Sequence, residues 1–112
     1  MDKNRKREIA REYREREVPR GVYAVRCKPT GEVWVSGSRR LDTQQTALWF
    51  QLRTGGMPNK ALQVAWNDHG EDAFGFEILE TVTDDNPQLI DSLVKDREQH
   101  WRTELGARKV VG

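Results

Sequence analysis

No run of apolar residues in this chain approaches the eighteen or so needed to cross a bilayer, and its N-terminus is charged where a secretory signal would be hydrophobic. These absences predict a cytoplasmic protein with no membrane partner. A single cysteine, Cys27, rules out an internal disulfide and any cysteine-built zinc site. Neither sign of charge dominates: the formal net charge is +1, so the chain as a whole exerts little pull on a nucleic-acid backbone. What is present is a balance of 36% hydrophobic and 33% charged residues over 112 positions, which predicts one soluble domain with a modest core.

The charge is uneven along the chain. Residues 1 to 20 hold eight Lys and Arg against five Asp and Glu. Residues 2 to 16 are filled with strong helix formers, with Arg11/Glu15 and Glu12/Arg16 at i,i+4 spacing, and predict a charged N-terminal helix within a segment 1–18. Its apolar stripe, Ile9, Ala10 and Tyr13, is too narrow for a core element. Two uses follow from it, a solvated helix or a clamp on a nucleic-acid backbone.

Residues 21 to 27 and 32 to 37 alternate and are rich in Val, Tyr and Trp, with Lys28-Pro29-Thr30-Gly31 as turn chemistry between them, which predicts an antiparallel hairpin. A loop made of Pro29 and Thr30 sets Val25 opposite Trp34 and Tyr23 opposite Ser36. A bulge at Gly31 shifts that register and parts Tyr23 from Trp34. Asp42 with Gln45 reads as the cap of a helix that carries Leu41, Leu48 and Leu52 and stops at Thr54-Gly55-Gly56. Asn59 caps a second helix that ends at Gly70, and Phe74, Phe76 and Ile78 alternate as a third strand. Asn86-Pro87 opens a last helix whose apolar stripe is Ile90, Leu93, Val94, Trp101 and Leu105. The expected architecture is α/β (α+β): a small three-stranded antiparallel sheet flanked by helices over residues 19–106, with an extra N-terminal helix and a C-terminal tail at 107–112.

Gly21-Val22-Tyr23, the second strand Val33-Trp34-Val35-Ser36-Gly37-Ser38, the helix Asn59-Lys60-x-Leu62-Gln63-x-Ala65-Trp66-Asn67-x-x-Gly70 and the strand Phe74-x-Phe76-Glu77-Ile78-Leu79-Glu80 together resemble the GIY-YIG nuclease superfamily. The resemblance runs from about Pro19 to Leu105. It implies a phosphodiesterase chemistry in which a tyrosine helps water attack, an arginine steadies the phosphoryl charge and a glutamate holds one divalent metal. Tyr23 matches the tyrosine proposed as general base, and Glu98, in Asp96-Arg97-Glu98-Gln99-His100-Trp101, matches the metal-binding glutamate.

Other positions depart from the pattern. Trp34 replaces the second tripeptide's tyrosine, and an indole N–H can donate but cannot take a proton. Ser36 replaces that tripeptide's glycine, with Gly37 beside it to restore a turn. Gln44 stands at the arginine's place, and Leu48 where many members have a histidine. The resemblance therefore implies a degenerate member with impaired or absent hydrolysis, and at most a weakly held Mg²⁺ through Glu98. Arg39 and Arg40 are either substitutes for the missing arginine or solvated charges. Glu98 has the alternative of pairing with Arg102, and His69 and His100 show no metal-ligand spacing. Trp34 and Trp49, with Arg39, Arg40 and Gln44, form the candidate substrate-binding set, the tryptophans stacking on an unpaired base. The partner is then a nucleic acid, DNA ahead of RNA. The competing reading is a non-catalytic module that meets a protein through Trp34 and Trp49, and the plain one places both tryptophans in the core.

Overall fold

The computed structural model describes residues 19–110, so the expected N-terminal helix lies outside the described residues. Strands β1 (Arg20–Cys27) and β2 (Val33–Ser38) form the hairpin, followed by helices α1 (Leu41–Thr54) and α2 (Lys60–His69). After a single 3-10 turn come β3 (Phe74–Val82), α3 (Pro87–Leu105) and the two-residue β4 (Arg108–Lys109). The sheet runs β3-β1-β2-β4. The three expected strands pair antiparallel, and β4 adds a fourth, parallel to β2.

The hairpin register is the in-line one, with Tyr23 opposite Ser36 and Val25 opposite Trp34. Gly31 takes a left-handed conformation, φ 74°, but does so inside the turn, where its N–H donates to the Cys27 carbonyl at 2.8 Å. The ladder resumes at once, Cys27 N–H reaching the Glu32 carbonyl at 2.9 Å, so no bulge displaces the strands.

Helices cover both faces of the sheet. On one, Tyr23, Val25, Cys27 and Trp34 meet Leu48, Trp49 and Leu52 of α1 and Leu62, Ala65 and Trp66 of α2. On the other, Val22, Ala24 and Val35 meet Trp101 and Leu105 of α3. The predicted stripe of α3 does face the sheet, although it is half-buried throughout and no residue of the helix is fully enclosed. Trp101 donates its indole N–H to Glu80 Oε1 at 2.9 Å, and Arg97 Nε adds a second bond at 2.7 Å. These donors, Trp101 first, hold the Glu80 carboxyl below the usual carboxylate range and fix α3 to β3.

Asn59 and Asn86 cap their helices as expected, accepting from Leu62 N at 3.1 Å and Gln88 N at 3.0 Å. Asp42 does not cap α1. The helix begins one residue earlier, at Leu41, which leaves Asp42 in the first turn and Arg40 at the cap without a side-chain bond. Nor is the segment after 106 a free tail up to Val110. Asn59 Nδ2 donates to the carbonyls of Lys109 at 2.8 Å and Val110 at 3.1 Å, and the Val110 side chain is buried.

Two glycines permit close approaches that position the site. A Cβ at Gly21 would overlap the Glu80 carbonyl oxygen, because β3 carries a bulge opposite Val22 and Tyr23 that presses its backbone onto β1. A Cβ at Gly37 would lie 2.6 Å from Val94 Cγ1. Gly37 therefore supplies no turn, contrary to expectation. It sits inside β2 and lets α3 settle onto the strand, one helical turn before Glu98. No helix of the described residues is long and apolar enough to cross a membrane.

Candidate active site

Among the described residues, β4 pairs with β2 at Trp34 and Val35 and not from Ser36 onward. A cleft of about 360 Å³ opens there, and its walls include Ser36, Ser38, Arg39, Asp91, Lys95, Glu98 and Lys109. A larger hollow of about 470 Å³ lies between the hairpin turn and α2, lined by Thr30, Lys60, Val64 and His69 among others. It holds none of the residues that match the family pattern.

Tyr23 stands behind that cleft rather than in it. Its ring stacks on Phe76 with centroids 5.2 Å apart, and the residue is 1% exposed. Burial pushes the phenol up to about 12; a hydrogen bond with Ser36 offsets part of this, and the negative charge of Glu98 adds to it. Tyr23 therefore keeps its proton at neutral pH.

Glu98 is half-buried at the cleft and has no Arg102 contact of ion-pair length among the described residues. Its helical neighbours by face are Lys95 and, one turn further back, Asp91. Asp91 bridges two arginines, Oδ2 to Arg39 Nη2 at 3.0 Å and Oδ1 to Arg20 Nη1 at 3.3 Å. Arg39 thus reaches the same cleft as Glu98 while remaining well exposed. Arg40 does not line it: its backbone N–H donates to Ser38 Oγ at 3.0 Å.

Gln44 is turned toward the same serine. Ser38 Oγ donates to Gln44 Oε1 at 2.8 Å, which fixes an uncharged amide at the head of α1. Leu48, one turn on, is part of the core. So α1 contributes no cation to the cleft from either position.

The exposed aromatic platform expected at Trp34 and Trp49 does not exist. Trp34 is 0% exposed, stacks toward Phe74, and its indole N–H has no partner among the described residues. Trp49 is 7% exposed and meets Trp66 and Phe76 edge-on at 5.4 and 6.1 Å. Neither presents a face to a base or a protein. Their removal from the surface also removes the patch on which the interaction-module reading stood. His69 and His100 are exposed, and no group of three or more His, Cys, Asp or Glu that could hold a metal occurs among the described residues.

Sequence reasoning missed Asp91, Lys95 and Lys109. The first two were within reach, since three- and seven-residue steps back from Glu98 stay on one helical face. Lys109 carries no local signal, because a clamp from Asn59, fifty positions away, brings it in.

No protein-family model matches the sequence, and no curated protein sequence does. Solved structures do match. A mutant of the catalytic domain of intron endonuclease I-TevI superposes with a TM-score of 0.68 at 22% identity, over 80% of this chain and 86% of that one. The catalytic domain of homing endonuclease I-TevI gives 0.65 at 24% identity, over 78% and 88%. Identities this low speak for architecture, and the architecture agrees with the strand and helix pattern from Gly21 to Glu80. The chain has the fold of this endonuclease catalytic domain.

Proposed function

We propose that this protein is a cytoplasmic nucleic-acid-binding domain, DNA in preference to RNA, whose phosphodiester hydrolysis is slow or absent. The observation that carries the reading is Gln44. In the family pattern this position supplies a fixed positive charge, and here it supplies a neutral amide tied to Ser38. An arginine that steadies a phosphoryl transition state elsewhere contributes roughly 10³ to 10⁵ in rate. That corresponds to about 4 to 7 kcal/mol of barrier.

Two further observations point the same way. Arg39 is the arginine in the cleft, but its guanidinium is committed to Asp91. Tyr23 keeps its proton, so as a base toward water it is far from the poise that general catalysis favours.

The donor set fits a divalent cation only in part. Glu98 is a cleft carboxylate, and Asp91 is engaged by two arginines, so Mg²⁺ held by Glu98 would need waters and phosphate oxygens to complete its shell. Bound there, it would supply charge neutralisation and an activated water. The chain's own residues do the rest: Glu98 orients, and the cations attract the backbone.

Incubation of labelled duplex and single-stranded DNA with Mg²⁺ or Mn²⁺ tests the proposal. Binding at low salt with turnover at or below about 10⁻² s⁻¹ is expected, a typical enzyme rate reduced by the missing arginine. Turnover near 1 s⁻¹ would refute impaired catalysis, and no binding to DNA or RNA at low salt would refute the binding role.

A further inference from the structure

The cations of the cleft come from positions that the catalytic pattern does not use. Lys95 lies on α3, one turn before Glu98, and Lys109 lies on β4. Arg39 is occupied by Asp91, whereas neither lysine has a carboxylate partner among the described residues. Both ammonium groups line this small cleft, together with the carboxylates of Asp91 and Glu98.

The placement of Lys109 is built by specific contacts. Its backbone pairs with Val35, the buried Val110 anchors the next position, and Asn59 Nδ2 holds both carbonyls while Asn59 Oδ1 caps α2. A solvated lysine on a loose terminus needs none of this. Gly37 lets Val94 settle against β2, and the next residue, Lys95, lines the cleft.

We propose that Lys95 and Lys109 are the phosphate-binding pair of this cleft, gripping the backbone of a nucleic acid where α1 offers no charge. The proposal rests on the nucleic-acid reading above and goes beyond it by naming the cations. An ammonium is a point charge without the planar fork of arginine. It therefore attracts a phosphodiester in ground and transition states nearly alike, which favours binding without fast chemistry.

The test compares Lys95→Ala/Lys109→Ala with Lys28→Ala/Lys60→Ala, a pair of exposed lysines outside the cleft and of equal total charge. Anisotropy of labelled duplex DNA between about 50 and 200 mM salt gives affinity and salt slope. The cleft pair should lower the slope by about 0.9 per lysine, and affinity at the low end by tenfold or more, with the control pair nearly unchanged. Lys95→Gln and Lys109→Gln, singly, should each give about half the effect on the slope, with circular dichroism confirming the fold. Equal losses in both pairs, or no loss in the cleft pair, would overturn the assignment while leaving the binding role standing. Absence of binding by the unaltered protein would bring down both.

Discussion

Replacing Gly21 with alanine sets a methyl carbon on the Glu80 carbonyl oxygen and 3.0 Å from both the Glu80 carbonyl carbon and Leu41 Cδ1. Leucine can rotate away, but the peptide oxygen cannot, since Gly21 pairs with Thr81 on that side and Ser38 on the other. The bulge in β3 must therefore open or β1 must shift, an overpacking cost of about 3 kcal/mol or more. For a domain of this size that lowers the melting temperature by roughly 12 °C or more. Gly75 provides the internal control. A Cβ there meets only Lys28 Cε at 3.9 Å, an ordinary contact, so Gly75→Ala should be neutral or gain about 0.5 kcal/mol from a stiffer unfolded chain. Urea unfolding followed by tryptophan fluorescence compares the two. A Gly21→Ala protein within about 1 kcal/mol of the original, or equal to Gly75→Ala, would show that the close approach of β3 is not what fixes this residue.

Gln44→Arg should break the Ser38 bond, costing about 1 kcal/mol, and raise any Mg²⁺-dependent cleavage by tenfold or more; a fall in cleavage would deny that charge is what α1 lacks. Tyr23 titrates higher in the folded protein than in the unfolded chain, so the stability it contributes is complete below pH 10 and is lost as pH rises from 10 through about 12. The loss amounts to about 3 kcal/mol, and Tyr23→Phe should flatten that part of the urea-midpoint profile; an unchanged profile would place the titration elsewhere. Asn59→Asp keeps the oxygen that caps α2 but loses the donor to Lys109 and Val110, so amide exchange should quicken at Val110 and stay slow within α2. Loss of residues 1–17 should leave the fold intact, and a reduced salt slope for DNA would support the clamp over the solvated helix.

The order of strands and helices was legible because each has a local cause: alternation in β1 to β3, asparagine caps on α2 and α3, and glycine stops. What escaped depends on partners remote in sequence. Considered on α1 alone, Trp49 points away from Leu48 toward a polar side, yet Trp66 and Phe76 arrive from two other elements and enclose it. Trp34 beside arginines suggests a surface, although alternation already places it with Tyr23 and Val25 on the face that α1 and α2 cover. β4 has two residues and therefore no period to detect. The orientation of Arg39 toward Asp91 and of Gln44 toward Ser38 likewise depends on partners far along the chain or on another element.

A strand of two residues that halts at Lys109 determines how much of β2 meets solvent. Each additional residue of pairing would advance β4 by about 3.3 Å and zip its backbone over Ser36, then Gly37, narrowing the mouth. Among the described residues, pairing along β2 thus ends beside the cleft that Glu98 lines, at a point held by the amide of Asn59. Selection or engineering at that latch would widen or shut the groove without altering one residue inside it.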